Sequence, residues 1–209
     1  CSRAVALEPH NAIYQYNLGR AHHLRNQFAE AAQAYLSALE LDSALVEAHR
    51  YLGVVYAKDG DWKEAEAEYR AAVLLDDENG EVHYELGKSL ERQSKNEEAV
   101  TAYQRAIALK PGFADAHYNL GKVLHRQGHL EESQKEIERF NRLKAQGGQG
   151  VKAAKLAIQR HPDGVAERRA LSVAYADAGN FAEAAAELRV ALTLAPREAR
   201  IHFDLGLVY

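Results

Sequence analysis

The dipeptide Leu-Gly returns at Leu18-Gly19, Leu52-Gly53, Leu86-Gly87 and Leu120-Gly121, each time 34 residues on. It appears again as Leu171-Ser172 and, 34 residues later, as Leu205-Gly206. Other columns keep the same step: Ala31, Ala65 and Ala99, with Ser133 and Ala184; Tyr35, Tyr69 and Tyr103, then Ile137 and Leu188; Ala38, Ala72 and Ala106, then Phe140 and Ala191. Pro9, Pro111, Pro162 and Pro196 close units, with Ser43 and Asp77 in the same place. A fixed period of this length makes the chain an array of one supersecondary unit, not a domain around a single irregular core.

Each unit reads as two helices. Residues 81–93 (EVHYELGKSLERQ) carry helical spacing, and 95–111 (KNEEAVTAYQRAIALKP) carry a second helix stopped by proline. Between them stands a turn, often Gly plus a candidate cap: Asp61 lies three residues before Glu64 and Asn180 three before Glu183, the spacing of a capping box. The Gly and Ala columns let two helices approach closely, and Leu, Tyr and Phe fill the space between one pair and the next. One such pair cannot bury its own apolar face, so neighbouring pairs must stack.

The pattern Leu52-Gly53-x2-Tyr56, then Gly60, Ala65, Tyr69 and Ala72, with a closing Pro in other copies, resembles the tetratricopeptide repeat. The resemblance implies an all-α fold, a right-handed α-solenoid of stacked antiparallel helix pairs. It covers a partial repeat at 1–9, four full repeats over about 12–145, another at 165–198 and a truncated one at 199–209.

One interval breaks the period. From Leu120 to Leu171 is 51 residues, one and a half repeats, so an irregular half-repeat is expected near 145–162. The glycines of GGQG (147–150) should stop the helix that begins near Leu130, leaving a loop and a single helix over 151–161. The helix over 130–144 is also unusually charged, with Ser133 and Phe140 replacing the small residues, as expected of an end repeat facing solvent. The reading therefore divides the chain into a first array, 1–146, and a second segment, 147–209; a continuous stack with one helix out of pattern is the alternative. Cys1 falls inside a helix already begun and Tyr209 eleven residues into a unit, as expected of a piece of a longer chain.

Composition narrows the function. With 26 Lys+Arg against 30 Asp+Glu, the net charge of -4 argues against a duplex nucleic-acid partner, whose phosphates call for a basic excess. No apolar run approaches the ~20 residues that span a bilayer, so no membrane insertion is expected. The single cysteine leaves the compartment undetermined, with the cytoplasm slightly favoured.

Three histidines in HYNLGKVLHRQGH (117–129) invite a metal or acid–base reading. However, His49, His83, His117 and His202 occupy one slot, three residues before the Leu of Leu-Gly. Equivalent positions in adjacent repeats lie about one helix diameter apart, ~10 Å, whereas shared zinc needs nitrogens ~2 Å from the ion. Repeat packing accounts for the column better than chelation. His125 and His129 are four apart but separated by Gly128, and His22 and His23 point in different directions on their helix. With no HExxH, GxSxG or phosphate-binding glycine loop, the expectation is a non-enzyme without cofactor, metal or catalytic residues.

Binding remains. The resemblance implies that the first helix of each repeat lines a concave face. Its slots hold Tyr16, Asn17 and Arg20; Arg50, Tyr51 and Val54; Tyr84, Glu85, Lys88 and Arg92; and Tyr118, Asn119, Lys122, His125 and Arg126. Tyr84 and Tyr118 offer flat amphipathic area. Lys88 and Lys122, with Arg92 and Arg126, form basic ridges suited to an acidic peptide or protein. The Lys–Asn arrangement of the family's carboxylate clamp is absent from these slots. The expected function is a protein-binding scaffold or adaptor. A substrate-recruiting segment of a larger enzyme, such as a glycosyltransferase or signalling protein, is the runner-up, and self-association through open array ends is a third class.

Overall fold

The computed structural model describes residues 10–208; the expected partial repeat at 1–9 lies outside them. The described residues form helices without a strand: α1 Ala12–His23, α2 Phe28–Leu41, α3 Val46–Asp59, α4 Trp62–Leu75, α5 Gly80–Arg92, α6 Asn96–Leu109, α7 Ala114–Arg126, α8 Leu130–Arg160, α9 Val165–Asp177, α10 Phe181–Leu194 and α11 Ala199–Val208. The chain divides into two compact units between Glu138 and Arg139. In the first, α1 packs on α2, α3 on α4 and α5 on α6. Each second helix then packs on the next first helix, and α3, α5 and α7 touch in sequence. In the second, α9 pairs with α10 and α10 with α11.

The Leu-Gly column exists to admit the tyrosine column. A Cβ on Gly19 would stand 2.5 Å from the Tyr35 ring, on Gly53 2.7 Å from Tyr69, and on Gly87 2.6 Å from Tyr103. All three rings are fully buried. Where the tyrosine becomes Leu188, the partner slot holds a buried Ser172, and where it becomes Ile137, Gly121 still lies against it. A helix-interior glycine costs ~1 kcal/mol relative to Ala; the aromatic ring it admits buries far more surface than that cost offsets. Leu52, Leu90, Val55, Val82 and Val123 complete the first unit's interior, and Leu188, Ala191 and Ile201 the second's.

Helix ends depart from the expected capping boxes. Asp61 and Asn180 make no side-chain cap bond. Gln27 and Lys95, which precede the equivalent helices, make none either. The turn is instead set one residue earlier by a left-handed backbone at Asn26, Gly60, Ser94, Gly128 and Gly179. That bend leaves the next residue outside the extended conformation from which a side chain reaches back to N3, so its carbonyl starts the helix unaided: Ala65 N–H donates to Asp61 O at 2.9 Å. Side-chain caps occur on first helices, where Asn79 Oδ1 accepts from Glu81 and Val82, and Asn11 Oδ1 from Tyr14.

The expected stop at 147–150 is also corrected. α8 runs unbroken through Gly147, Gly148 and Gly150, so 151–161 is not a separate helix after a loop. None of these glycines takes a positive φ. Glycine weakens a helix without forbidding it, and at Gly147 its small size has a use: a Cβ there would lie 3.2 Å from Cα and Cβ of Ala178, and Lys144 Nζ donates to the Ala178 carbonyl at 3.3 Å.

Candidate functional site

The first helices of the first unit present the sequence-derived residues in two groups. On α1 and α3, the Tyr16 ring lies 6.1 Å from both Tyr35 and Tyr51, with the Arg20 guanidinium 5.9 Å from the Tyr16 and Tyr51 rings. Arg50 sits 4.3 Å over Tyr51, is held by Glu47 at 2.8 Å and reaches toward Glu81 at 4.0 Å. Burial pushes the Tyr16 hydroxyl up to about 12 against the pull of Arg20, so it stays a neutral donor. Asn17, next to Tyr16 in the chain, is half-buried.

On α5 and α7, Asn119 Nδ2 donates to Tyr84 Oη at 3.2 Å, and Phe113 packs 4.5 Å from the Tyr84 ring. Lys88 Nζ stands 5.3 Å over Tyr84 and pairs with Glu85 at 2.8 Å. Lys122 lies 5.5 Å over the exposed Tyr118. Its ammonium and the Arg126 guanidinium converge on Oε1 of Glu91, at 3.5 and 2.7 Å. Burial opposes the charge on Glu91, yet hydrogen bonds from Tyr103 and Arg126, with the nearby Lys122, hold its carboxyl below the ordinary range.

Two residues go elsewhere. Arg92 turns to the Trp62 ring, 5.3 Å away, and His125 is exposed. Glu91 is the residue of this face that repeat reading passed over. Its signal was present, because neighbouring first helices meet at separations of 35 and 31 residues and not at 34: Tyr16 with Tyr51, Tyr84 with Asn119, Glu91 with Arg126, Arg169 with Asp204, and Glu91 with Lys122.

The histidine column ties each first helix to the turn that precedes it. Nε2 of His49, His83 and His117 lies 3.1 Å from the carbonyl oxygens of Ser43, Asp77 and Pro111, six residues upstream, and Nε2 of His202 lies 3.2 Å from that of Pro196. His22 bonds Gln27 at 3.1 Å, His23 packs edge-on to Phe28 and His129 faces Glu132 at 3.3 Å. Among the described residues no three His, Cys, Asp or Glu side chains gather as a metal site. None of their helices is long and apolar enough to cross a membrane.

Helix pairs stacked within each unit, with α3, α5 and α7 touching in sequence in the first, define a repeat scaffold. Family models described as TPR repeat or tetratricopeptide repeat match residues 19–60 and 92–128, 46–79, 114–146, and 146–199 with 169–209. The chain belongs to the tetratricopeptide repeat family. No curated protein sequence matches it. Among solved structures, that of MamA is 25% identical over 90% of this chain and 94% of that one, with a TM-score of 0.60. YrrB, described as a TPR protein with an unusual peptide-binding site, is 24% identical over 97% and 95%, at 0.63. The first TPR of Spaghetti (RPAP3), bound to the HSP90 peptide SRMEEVD, is 20% identical over 56% and 94%, at 0.55. The last two likenesses concern the fold.

Proposed function

We propose that the chain is a protein-interaction module that takes an acidic peptide or partner protein along the first helices of its first unit, acting as scaffold or adaptor. The observation carrying this reading is an asymmetry of exposure. Lys88, Lys122 and Arg126 leave 40, 43 and 47% of their side chains exposed, whereas their partners Glu85 and Glu91 leave 24 and 12%. The acids hold the bases from beneath, so the more exposed member of each pair is basic despite the chain's overall -4. Tyr84 and Tyr118 add stacking area between the cations, and the Tyr16–Arg20–Arg50–Tyr51 group extends the same chemistry along α1 and α3. The reading takes the cytoplasm as the working compartment, since a face made of lysine, arginine and tyrosine needs no disulfide to hold it.

Selection of peptides against the chain and against Lys88→Glu/Lys122→Glu tests it. Acidic sequences should be recovered by the first and lost by the second; equal recovery of the same peptides by both sinks the reading.

A further inference from the structure

The histidine slot is one end of a clip that the fold builds repeatedly. While Nε2 holds the upstream carbonyl, Nδ1 of His49 meets Glu68 at 2.6 Å and Nδ1 of His117 meets Glu136 at 2.6 Å, each acid nineteen residues downstream. In the second unit Arg168 occupies the slot with the same pair of partners, the Pro162 carbonyl at 3.0 Å and Glu187, again nineteen residues on, at 2.9 Å. Arginine can only donate. The slot therefore places a nitrogen-bearing side chain between a carbonyl and a carboxylate.

The third repeat breaks this pattern. Position 102, in step with Glu68 and Glu136, is alanine. His83 is only 6% exposed and bonds through Nε2 to Asp77, both carbonyl and Oδ1, at 3.1 Å. Among the described residues no partner meets its Nδ1. Where the carboxylate stands in the neighbouring repeats, a cleft of about 400 Å³ opens among α4, α5 and α6. Leu86, Leu90 and Ala102 form an apolar wall beside His83, and Arg70 and Arg105 stand at the rim. The charges facing it are balanced without the imidazole: Arg70 pairs with Glu98, and Arg105 with Asp77. With Nε2 taken by Asp77, Nδ1 of His83 is left without the carboxylate that meets it in the neighbouring repeats.

We propose that this cleft docks the free C-terminal carboxylate of a partner chain that ends in an apolar residue. The position of the carboxylate follows from Glu68 and Glu136 in the flanking repeats. The apolar wall selects the source: a C-terminal residue carries carboxylate and side chain on one Cα and so meets His83 and Leu86/Leu90 together, while an internal acidic residue supplies the charge alone. The volume lies within the range of small-ligand sites. None of the groove residues on α5 and α7 lines the cleft, so this site goes beyond the proposed groove function and stands or falls separately.

Ring-nitrogen and methyl NMR spectra of the chain, titrated with N-acetylleucine, N-acetylleucinamide and the α-amide of N-acetylglutamate, test the assignment. N-acetylleucine should shift His83, Leu86, Leu90 and Ala102 saturably. The two amides should bind about tenfold more weakly or worse, the cost of one charge-assisted hydrogen bond or of the apolar contact. Ala102→Glu should abolish the response and give His83 Nδ1 the carboxylate-bonded signature of His49 and His117. Four results overturn the proposal: no shifts in the parent chain, equal shifts with the leucine amide, tighter binding of the glutamate derivative, or an undiminished response in Ala102→Glu. The ligand comparison on the parent chain decides the matter even where the variant fails to fold.

Discussion

Tyr103 donates its phenolic hydrogen to Oε2 of Glu91 at 2.9 Å, from the end of a ring lying where a side chain on Gly87 would stand. The equivalent hydroxyl of Tyr69 is buried with no partner among the described residues. Two chemically identical substitutions should thus diverge. Tyr103→Phe removes a hydrogen bond to a carboxylate and should cost about 1.5–3 kcal/mol, whereas Tyr69→Phe relieves an unsatisfied polar atom and should be neutral or gain up to ~1 kcal/mol. Urea unfolding of the two variants against the parent checks the sign of the difference.

Gly87→Ala places a methyl 2.6 Å from Cε1 of the fully buried Tyr103 ring, closer than van der Waals contact allows, so the ring or the helix must shift. The expected loss is ~2–3 kcal/mol, typical of overpacking in a close-packed interior. Gly206→Ala, with nothing within 4 Å of the added Cβ, is the matched control and should be neutral or slightly stabilising. Equal midpoints for the two in thermal melts would remove the argument that the glycine column serves the tyrosine column.

Ser94 holds φ at 63° in the turn where Gly60 and Gly128 stand in adjacent repeats. A side chain in the left-handed region costs ~1–2 kcal/mol, part of which glycine returns through the greater entropy of its unfolded chain. Ser94→Gly should raise stability by ~0.5–1 kcal/mol. A higher denaturant midpoint at unchanged slope is the expected result.

Nε2 of His49 faces a carbonyl and Nδ1 a carboxylate, so the folded state offers an acceptor to each N–H of the protonated ring. The bond to Glu68 outweighs burial and raises its pKa above 6.5. The folded state thus binds this proton more tightly than the unfolded chain, and the stabilisation is complete below the ordinary histidine value and lost as pH rises through the folded one. His23 shifts oppositely: burial, with Lys58 and Arg50 nearby, lowers its pKa, so its contribution disappears as pH falls below the ordinary value. Single-residue NMR titration should place His49 above and His23 below the unfolded reference. His49→Gln should flatten the decline in unfolding free energy on the alkaline side.

The period of 34 was enough to name the fold. It identified the helix pairs, the small-residue seams, the Tyr35, Tyr69 and Tyr103 interior and the shared slot of the histidines, because residues one period apart occupy equivalent positions in the stack. Equivalence does not say which residues touch. Tyr84 meets Asn119, and Glu91 meets Arg126, at separations of 35 residues, because each first helix is displaced along its neighbour by about one position. That offset turned the expected basic ridges into bases held by half-hidden acids. Nor could local composition decide 147–150, where three glycines read as a stop but the helix continues and Gly147 permits a close approach to Ala178, or the supposed capping boxes, where a left-handed residue upstream had already set the turn. Ala102 was visible as a letter throughout. Its meaning depended on the distance from His49 to Glu68, since the gap it leaves opposite His83 is a fact about packing between helices. The sequence by itself determined the recurring unit; the stacking of units decided which polar groups meet, because contacts across repeats depend on the stagger of rigid helices and not on the order of residues within one.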